Sequence, residues 1–266
     1  MIRDITLGQY YPADSVLHRL DPRVKLTGTL VYVISLFLFQ SFTGYIVASI
    51  FLVTMIALSR VPVSFMFKGL KAVLVLLIFT ALLNALLTPG RELFSFWKIT
   101  VTIEGLRFAA FMVLRIVYLI IGSSVMTLTT TPSSLTDGLE KGLGWLKILK
   151  VPVHEIAMMM SIALTFIPVL LEETDKIIKA QQARGADFES GNLIRRIRSL
   201  VPILVPLFVS AFRRANDLAI AMEARCYRGG EGRTKMCPLK YSLRDGMAYL
   251  VLLVYLAAII AVGIIF

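Results

Sequence analysis

The feature that most constrains this chain is a stretch of 33 residues without a charge, running from Leu26 to Leu58. A single helix of that length would measure about 50 Å, whereas the hydrocarbon core of a bilayer is about 30 Å thick. Polar and small residues interrupt the stretch at positions 40–44. The sequence therefore predicts two membrane-spanning helices, at 25–40 and 43–59, joined by a tight turn. One tilted helix followed by a re-entrant piece is the alternative.

Three further apolar stretches have about the length of a membrane span, at 72–87, 108–129 and 246–266. The chain as a whole is 57% apolar, above the roughly 45–50% that is usual in soluble domains. We therefore expect an all-α, polytopic membrane protein with about five transmembrane helices. Four of them lie within 25–129, after an N-terminal segment at 1–24, and the fifth ends the chain.

The region between the fourth and fifth spans, residues 130–245, has a different character. It holds 17 of the 28 basic and 12 of the 17 acidic residues. Two apolar stretches inside it, at 156–171 and 200–212, are marginal or too short to cross a bilayer. We expect both to lie in or just below the membrane interface, within a cytoplasmic region of long, kinked coupling helices. If both crossed the membrane instead, the chain would have seven spans and its ends would keep their sides.

The distribution of lysine and arginine predicts the orientation of the spans. With a cytoplasmic N-terminus, the cytoplasmic segments, which include a basic loop at 60–71, hold 24 of the 28 basic residues. The outer loops, at 40–43 and 91–107, hold 3. Basic residues accumulate on the cytoplasmic side of membrane proteins. The N-terminus is therefore expected in the cytoplasm, and the C-terminus outside the cell membrane. The net charge of +11 follows from the same bias, so nucleic acid is not an expected partner.

Two long helical patterns within 153–228 end alike, each with a small residue on either side of an arginine. The two ends are Ala183-Arg184-Gly185 and Ala224-Arg225-Cys226. Prolines lie inside both patterns and predict a kink in each helix. They are Pro168 in the first, and Pro202 and Pro206 in the second.

These two ends allow two interpretations. An arginine in the last turn of a helix complements the negative end of the helix dipole, and a glycine just beyond it is an ordinary cap. Alternatively, the small alanine lets the helix end approach another protein closely. The arginine then offers a planar fork to carboxylates or backbone carbonyls. The repetition of one pattern on two helices favours the second interpretation, in which both ends bind partner proteins.

Several short motifs carry a family resemblance. They are Leu20-Asp21-Pro22-Arg23-Val24-Lys25-Leu26, Thr130-Thr131-Pro132, Val151-Pro152-Val153-His154-Glu155 and the two helix ends. With these motifs spread over nearly its whole length, the chain resembles the transmembrane T component of energy-coupling factor (ECF) transporters. The second end departs from the family's Ala-Arg-Gly form because it carries Cys226, which is less comfortable than glycine in a left-handed cap.

The resemblance implies a non-enzymatic coupling role in a membrane complex. Members of the family lie between two cytosolic ABC-type ATPase subunits and a substrate-binding S component in the membrane. The two helix ends, with Arg184 and Arg225 as anchors, would each enter a groove of one ATPase. Closure of the ATPases on ATP would move the helices and reorient the S component, which delivers a vitamin or a transition-metal ion.

Motifs of other functional classes are missing from the sequence. There is no phosphate-binding loop of the form Gly-x-x-x-x-Gly-Lys-[Ser/Thr]. The pair His154-Glu155 lacks the second histidine of a zinc helix, because position 158 is Met158. We therefore expect no catalytic residue, no metal site and no cofactor. A self-contained carrier or channel is the alternative function, but only Arg115 places a charge inside a predicted span.

Overall fold

The computed structural model describes residues 10–39, 41–96, 99–186, 193–230, 236 and 238–265. Within these ranges the chain is helical apart from one short hairpin, so the predicted all-α fold is confirmed. The helices are α1 (Pro22–Leu38), α2 (Phe42–Ser59), α3 (Val63–Leu87), α4 (Ile103–Thr129), α5 (Pro132–Gly142), α6 (Val153–Ala183), α7 (Leu193–Ala224) and α8 (Leu243–Ile265). A 3₁₀ helix, Gly144–Leu149, precedes α6.

The hairpin lies between α3 and α4, where the sequence analysis expected an outer loop. Its antiparallel strands are β1 (Glu92–Phe96) and β2 (Ile99–Thr102), with Phe96 opposite Ile99. The Thr102 hydroxyl accepts a hydrogen bond from the Gly105 amide at 3.0 Å and so caps the start of α4. The hairpin thus leads directly into the next long helix.

The chain divides into two compact units. We call the described residues of 8–141 and 239–266 the bundle unit, and those of 142–238 the pair unit. The bundle unit contains α1 to α4, nearly all of α5, and α8. The pair unit contains the 3₁₀ helix, α6 and α7. Helix α5 belongs with the bundle because Gly138 lies so close to Pro22 that an added Cβ would be 2.9 Å from the proline Cβ.

Among the described residues, five helices are long and apolar enough to cross a membrane: α2, α3, α4, α6 and α8. The number agrees with the prediction, but the set differs by one member. The predicted span at 25–40 corresponds to α1, which has 17 residues and is about 25 Å long. Helix α6 joins the set because its first half is apolar and its 31 residues form one continuous helix.

Helix α3 begins nine residues before the predicted span at 72–87. Pro62 precedes its first residue, Val63, and the helix then continues without a break to Leu87. Lys68 and Lys71, which the sequence analysis placed in a basic loop, therefore lie on the first turns of this helix and are exposed. A predicted loop of twelve residues is thus reduced to a short connection around Val61 and Pro62.

Aromatic side chains fill the middle of the bundle unit. The rings of Phe51 and Tyr255 stack at 4.1 Å, and Tyr32 lies 5.9 Å from Phe51. The buried hydroxyls are paired: Ser35 Oγ lies 2.7 Å from the Tyr255 hydroxyl, and the Tyr32 hydroxyl donates to a carbonyl of α4 at 3.3 Å. This pairing matters because a polar group left alone in an apolar interior costs several kcal/mol.

A buried carboxylate joins the starts of α1 and α8. Asp245 is 2% exposed, and its Oδ1 accepts a hydrogen bond from the Asp21 amide at 2.9 Å. Its Oδ2 accepts from the amide and the hydroxyl of Ser242, at 2.7 and 2.8 Å. Asp245 therefore satisfies free amides at two helix starts at once, in the manner of a capping box extended to a second helix.

The motif Leu20–Leu26 surrounds this carboxylate and is structural in the bundle unit. Asp21 caps α1 by accepting from the Arg23 amide at 2.9 Å, and it forms a bidentate pair with the Arg23 guanidinium at 3.0 and 2.9 Å. That guanidinium also lies 3.9 Å from the Tyr241 ring. Lys25 donates to the carbonyl of Thr129, the last residue of α4, at 2.8 Å. One seven-residue motif thus joins α1, α4 and α8.

Arg115, the ionisable residue inside a predicted span, faces a protein neighbour. Its guanidinium donates to the carbonyl of Phe39, just beyond the end of α1, at 3.5 Å. It also lies 5.1 Å from the ring of Phe37. The end of α1 presents carbonyls without helical partners, so a positive charge is favourable there.

We expect Asp245→Ala to destabilise the protein by about 3 kcal/mol, because the amides of Asp21 and Ser242 lose their acceptor in a buried position. Thermal unfolding of the purified protein in detergent measures the effect. The unfolding midpoint of Asp245→Asn should lie between those of Asp245→Ala and the unmodified chain, because the asparagine side-chain oxygen still accepts part of these hydrogen bonds. Asp14→Ala, which breaks an exposed ion pair, serves as the control and should change the midpoint little. Equal midpoints for Asp245→Ala and the unmodified chain would contradict the assignment.

Candidate functional site

Helices α6 and α7 pack against each other in opposite directions. Glu173 lies 3.5 Å from Arg214, and Gln181 lies 3.3 Å from the Pro202 carbonyl, so the numbering rises along α6 as it falls along α7. The C-terminal ends of the two helices therefore point toward opposite ends of the pair. At 1.5 Å per residue, the arginines at these ends are roughly 30–40 Å apart.

The end of α6 closes with two backbone hydrogen bonds. Gly185 adopts a left-handed conformation, with φ of 87°. Its amide donates to the Gln182 carbonyl at 2.9 Å, and the Ala186 amide donates to the Gln181 carbonyl at 3.0 Å. These two bonds define a Schellman motif, in which the residue after the helix turns back over the last carbonyls.

The end of α7 repeats the same geometry residue by residue. Cys226 is left-handed, with φ of 55°, and its amide donates to the Glu223 carbonyl at 2.8 Å. The Tyr227 amide donates to the Met222 carbonyl at 3.0 Å. The third residue of each predicted tripeptide is therefore the capping residue. Cysteine takes the conformation that glycine takes in α6, although a left-handed residue with a Cβ is strained.

Both arginines remain available because backbone groups alone form the caps. Arg184 and Arg225 are exposed, as are Ala183 and Ala224 before them. Within the ranges that the structure describes, neither guanidinium has a hydrogen-bond or ion-pair partner. Backbone atoms of each tripeptide form the cap, whereas the binding interpretation concerns the arginine side chain. The two interpretations are therefore compatible. Each end presents a free planar cation on a rigid, capped helix.

A proline in α7 explains the contact that holds α6 near its end. The Pro202 carbonyl would ordinarily accept from the amide four residues later, but position 206 is a proline and has no amide hydrogen. Gln181 Nε2 of α6 donates to this carbonyl at 3.3 Å. The sequence analysis missed Gln181 as a positioning residue. The spacing of Pro202 and Pro206 predicts that the Pro202 carbonyl lacks its helical hydrogen bond, but it does not predict which residue donates to that carbonyl.

The segment after α7 lies against the start of α6. A Cβ built on Gly230 would overlap the imidazole ring of His154, so the two residues are in close contact. Val153 and Ala157, on either side of His154, are buried. The motif Val151–Glu155 thus helps to position the chain that follows Arg225. Only glycine fits at position 230 without displacing the ring, a requirement that the sequence analysis did not detect.

The five apolar helices of membrane length, of which α6 also belongs to the pair with matching arginine ends, define a multi-pass membrane protein. Residues 13–236 match the model of the CbiQ family, described as cobalt transport protein. The chain belongs to this family, as a transmembrane component of the energy-coupling factor transporters.

Close relatives cover the chain almost completely. A protein of Clostridium kluyveri is 57% identical over 256 residues, which are 96% of this chain and 95% of the relative. A protein of Ruminiclostridium cellulolyticum is 49% identical over 266 residues, the full length of both chains. One of Thermosediminibacter oceani is 51% identical over 249 residues, or 94% of each. All three are described as energy-coupling factor transporter transmembrane protein EcfT.

Because both caps need a left-handed residue, introducing glycine at one cap and removing it from the other should change the stability of the two helix ends in opposite directions. Cys226→Gly should stabilise the end of α7 by about 0.5–1 kcal/mol, because glycine adopts φ of 55° without strain. Gly185→Ala should destabilise the end of α6 by about 1 kcal/mol for the converse reason. Hydrogen exchange of the amides at 185–186 and 226–227 measures each end separately. Faster exchange at 226–227 in Cys226→Gly would contradict the assigned cap.

Proposed function

We propose that this chain couples two ABC-type ATPase subunits to a membrane-embedded, substrate-binding S component. Its main support is the pair of matching helix ends, each with a free arginine directly before the left-handed residue of the backbone cap. Two equivalent ends suit two equivalent partners. The positions of Arg184 and Arg225 at opposite ends of the pair leave room for one subunit at each.

The chemistry of the helix ends suits insertion into a groove. An arginine fork binds a carboxylate or two backbone carbonyls with two parallel hydrogen bonds. Ala183 and Ala224 add almost no bulk, so the last turn can approach the wall of a groove. The caps at Gly185 and Cys226 keep the last turns helical, so little conformational freedom is lost on binding.

The contacts within the pair unit support transmission of movement. Gln181 fastens α6 to the proline-interrupted part of α7, and the Glu173–Arg214 pair joins the helices a few turns away. A displacement of one end is therefore shared with the other helix. In this proposal the ATPases hydrolyse ATP, this chain catalyses no reaction, and the S component selects a vitamin or a transition-metal ion as cargo.

The proposed complex requires the helix ends on the cytoplasmic side, where ATP is available. The excess of basic residues in 130–245 supports that side and, with it, a cytoplasmic N-terminus and an outer C-terminus. Helix α7 also carries a row of exposed apolar side chains, each about one helical turn from the next. They are Val201, Val205, Phe208 and Phe212, which are 49%, 57%, 61% and 72% exposed. We assign this row to the S component.

Replacing either arginine by glutamate should weaken capture of the ATPase subunits by about thirtyfold or more, because a buried anchor is lost and a like charge is placed in the groove. The measurement is co-purification of the ATPases with the tagged chain, with quantified bands. Arg184→Glu with Arg225→Glu should abolish capture. Arg184→Lys should retain part of it, since lysine keeps the charge but not the fork.

Matched controls for this experiment lie on the same helices. Lys176→Glu in α6 and Arg213→Glu in α7 make the same change of charge at exposed positions two or more turns from the ends. Neither should alter capture. If the double end variant retains both ATPases, or if the controls lose them equally, the helix ends are not the anchors.

The apolar row on α7 can be tested independently of the ATPases. Phe208→Asp should reduce recovery of the S component at least tenfold, because a charge would be buried in an apolar contact. Recovery of the ATPases should remain unchanged. Ile220→Asp, at an exposed apolar position closer to Arg225, is the control and should leave S-component recovery intact. Loss of the ATPases but not the S component from Phe208→Asp would contradict this assignment.

A further inference from the structure

The bundle unit contains an apolar cavity that the coupling function does not use. It has a volume of about 240 Å³ and lies between α1, α2, α4, α8 and the segment before α1. Its polar lining is almost confined to one end, where Lys25 and Arg244 lie, while Tyr32 and Phe51 line the other end. The Lys25 ammonium is already held by the carbonyls of His18 and Thr129, at 3.2 and 2.8 Å.

A basic mouth continues this cavity. A second space of about 500 Å³ shares Val16, Leu58 and Arg244 with the cavity and is further lined by Asp14, Ser15, Arg19, Ala57 and Arg60. Asp14 pairs with Arg19 at 2.8 and 2.5 Å, and the hydrogen bond from Arg19 holds the pKa of Asp14 below its usual value. The mouth therefore holds three arginines against one carboxylate, and among the described residues only Arg19 forms a hydrogen-bonded ion pair with that carboxylate.

The helix directions place this mouth at the level of the membrane surface. Helices α1 and α8 start at the mouth, whereas α2 and α4 end there. From Lys25 to Tyr32 the cavity extends roughly 10 Å along α1, toward the middle of the bilayer. The lining residues Val16, Met247 and Val251 are 53%, 63% and 52% exposed, so the cavity opens toward the surroundings of the bundle.

We propose that this cavity and its mouth bind one anionic phospholipid. One acyl chain would occupy the apolar part, and the phosphate would lie between Arg60 and Arg244. Basic pockets at the cytoplasmic ends of transmembrane helices favour anionic head groups in this way. The cavity is smaller than the roughly 300–1,000 Å³ of pockets that enclose a drug-sized ligand, and its lining has few groups to orient a polar cargo. The first part of a single alkyl chain fits both the size and the chemistry, and the rest of the chain can leave through the opening beside Met247 and Val251.

Native mass spectrometry of the purified full-length chain tests the proposal. The chain is stripped of lipid, then mixed with phosphatidylglycerol or with phosphatidylcholine, which has the same tails but no net charge. We expect one phosphatidylglycerol to remain bound per chain under conditions that remove phosphatidylcholine. Arg60→Asn and Arg244→Gln should each weaken retention about fivefold. Asparagine is chosen at position 60 because Arg60 is left-handed, with φ of 54°.

Two further variants separate this site from general charge effects. Lys68→Gln with Lys71→Gln removes the same charge from exposed positions on α3 that do not line the cavity, and retention should not change. Ala248→Phe fills the apolar part without changing charge and should reduce retention. Each variant should keep the thermal midpoint of the unmodified chain.

Three outcomes would overturn the proposal. Equal retention of the two lipids would exclude recognition of the head group. Undiminished retention in a variant that combines Arg60→Asn with Arg244→Gln would exclude the mouth as the binding site. Displacement of the lipid by inorganic phosphate, together with unchanged retention in Ala248→Phe, would indicate a site for a free anion instead.

Discussion

The constraint on which this structure depends is the need to pair backbone amides and carbonyls that regular helices leave free. In a bilayer no water is present to satisfy them, so the cost of each unpaired group is high. In the bundle unit, charged side chains form hydrogen bonds with these free backbone groups. Asp245 accepts from amides at the starts of α1 and α8, Lys25 donates to the last carbonyl of α4, and Arg115 donates beyond the end of α1. These charges are therefore structural, although charges in such helices often indicate a transport pathway.

The same constraint shapes the pair unit, where backbone groups pair without using the arginine side chains at the helix ends. The proline at position 206 frees a carbonyl, and Gln181 of the neighbouring helix uses it as an anchor. At the two helix ends the backbone closes on itself, so Arg184 and Arg225 are not consumed by capping. A helix end that depended on its arginine for stability would have to lose that contact on binding a partner. Here the stable end and the free cation coexist, which suits the coupling contact that we propose.

Much of the architecture could be predicted because its signals are local. Apolar stretches of membrane length located α2, α4 and α8, and the two tripeptides located the ends of α6 and α7 to the residue. The prediction failed where contacts between residues that are distant in the sequence decide the local structure. The basic loop before the third span became the first turns of α3, and the loop before α4 folded into a hairpin, because no local signal forbids either outcome.

Residue order alone determined that this chain enters a membrane, that it is helical, and that two of its helices end in matching arginine tips. Those properties follow from hydropathy, length and the chemistry of helix ends, which act over a few turns. Only the tertiary structure decided which partner each polar group finds. It joined Asp21 to Asp245 across 224 positions, and it placed Gly230 against His154. Such pairs are set by packing in three dimensions, because many sequence positions could supply an acceptor but only one lies within hydrogen-bonding distance.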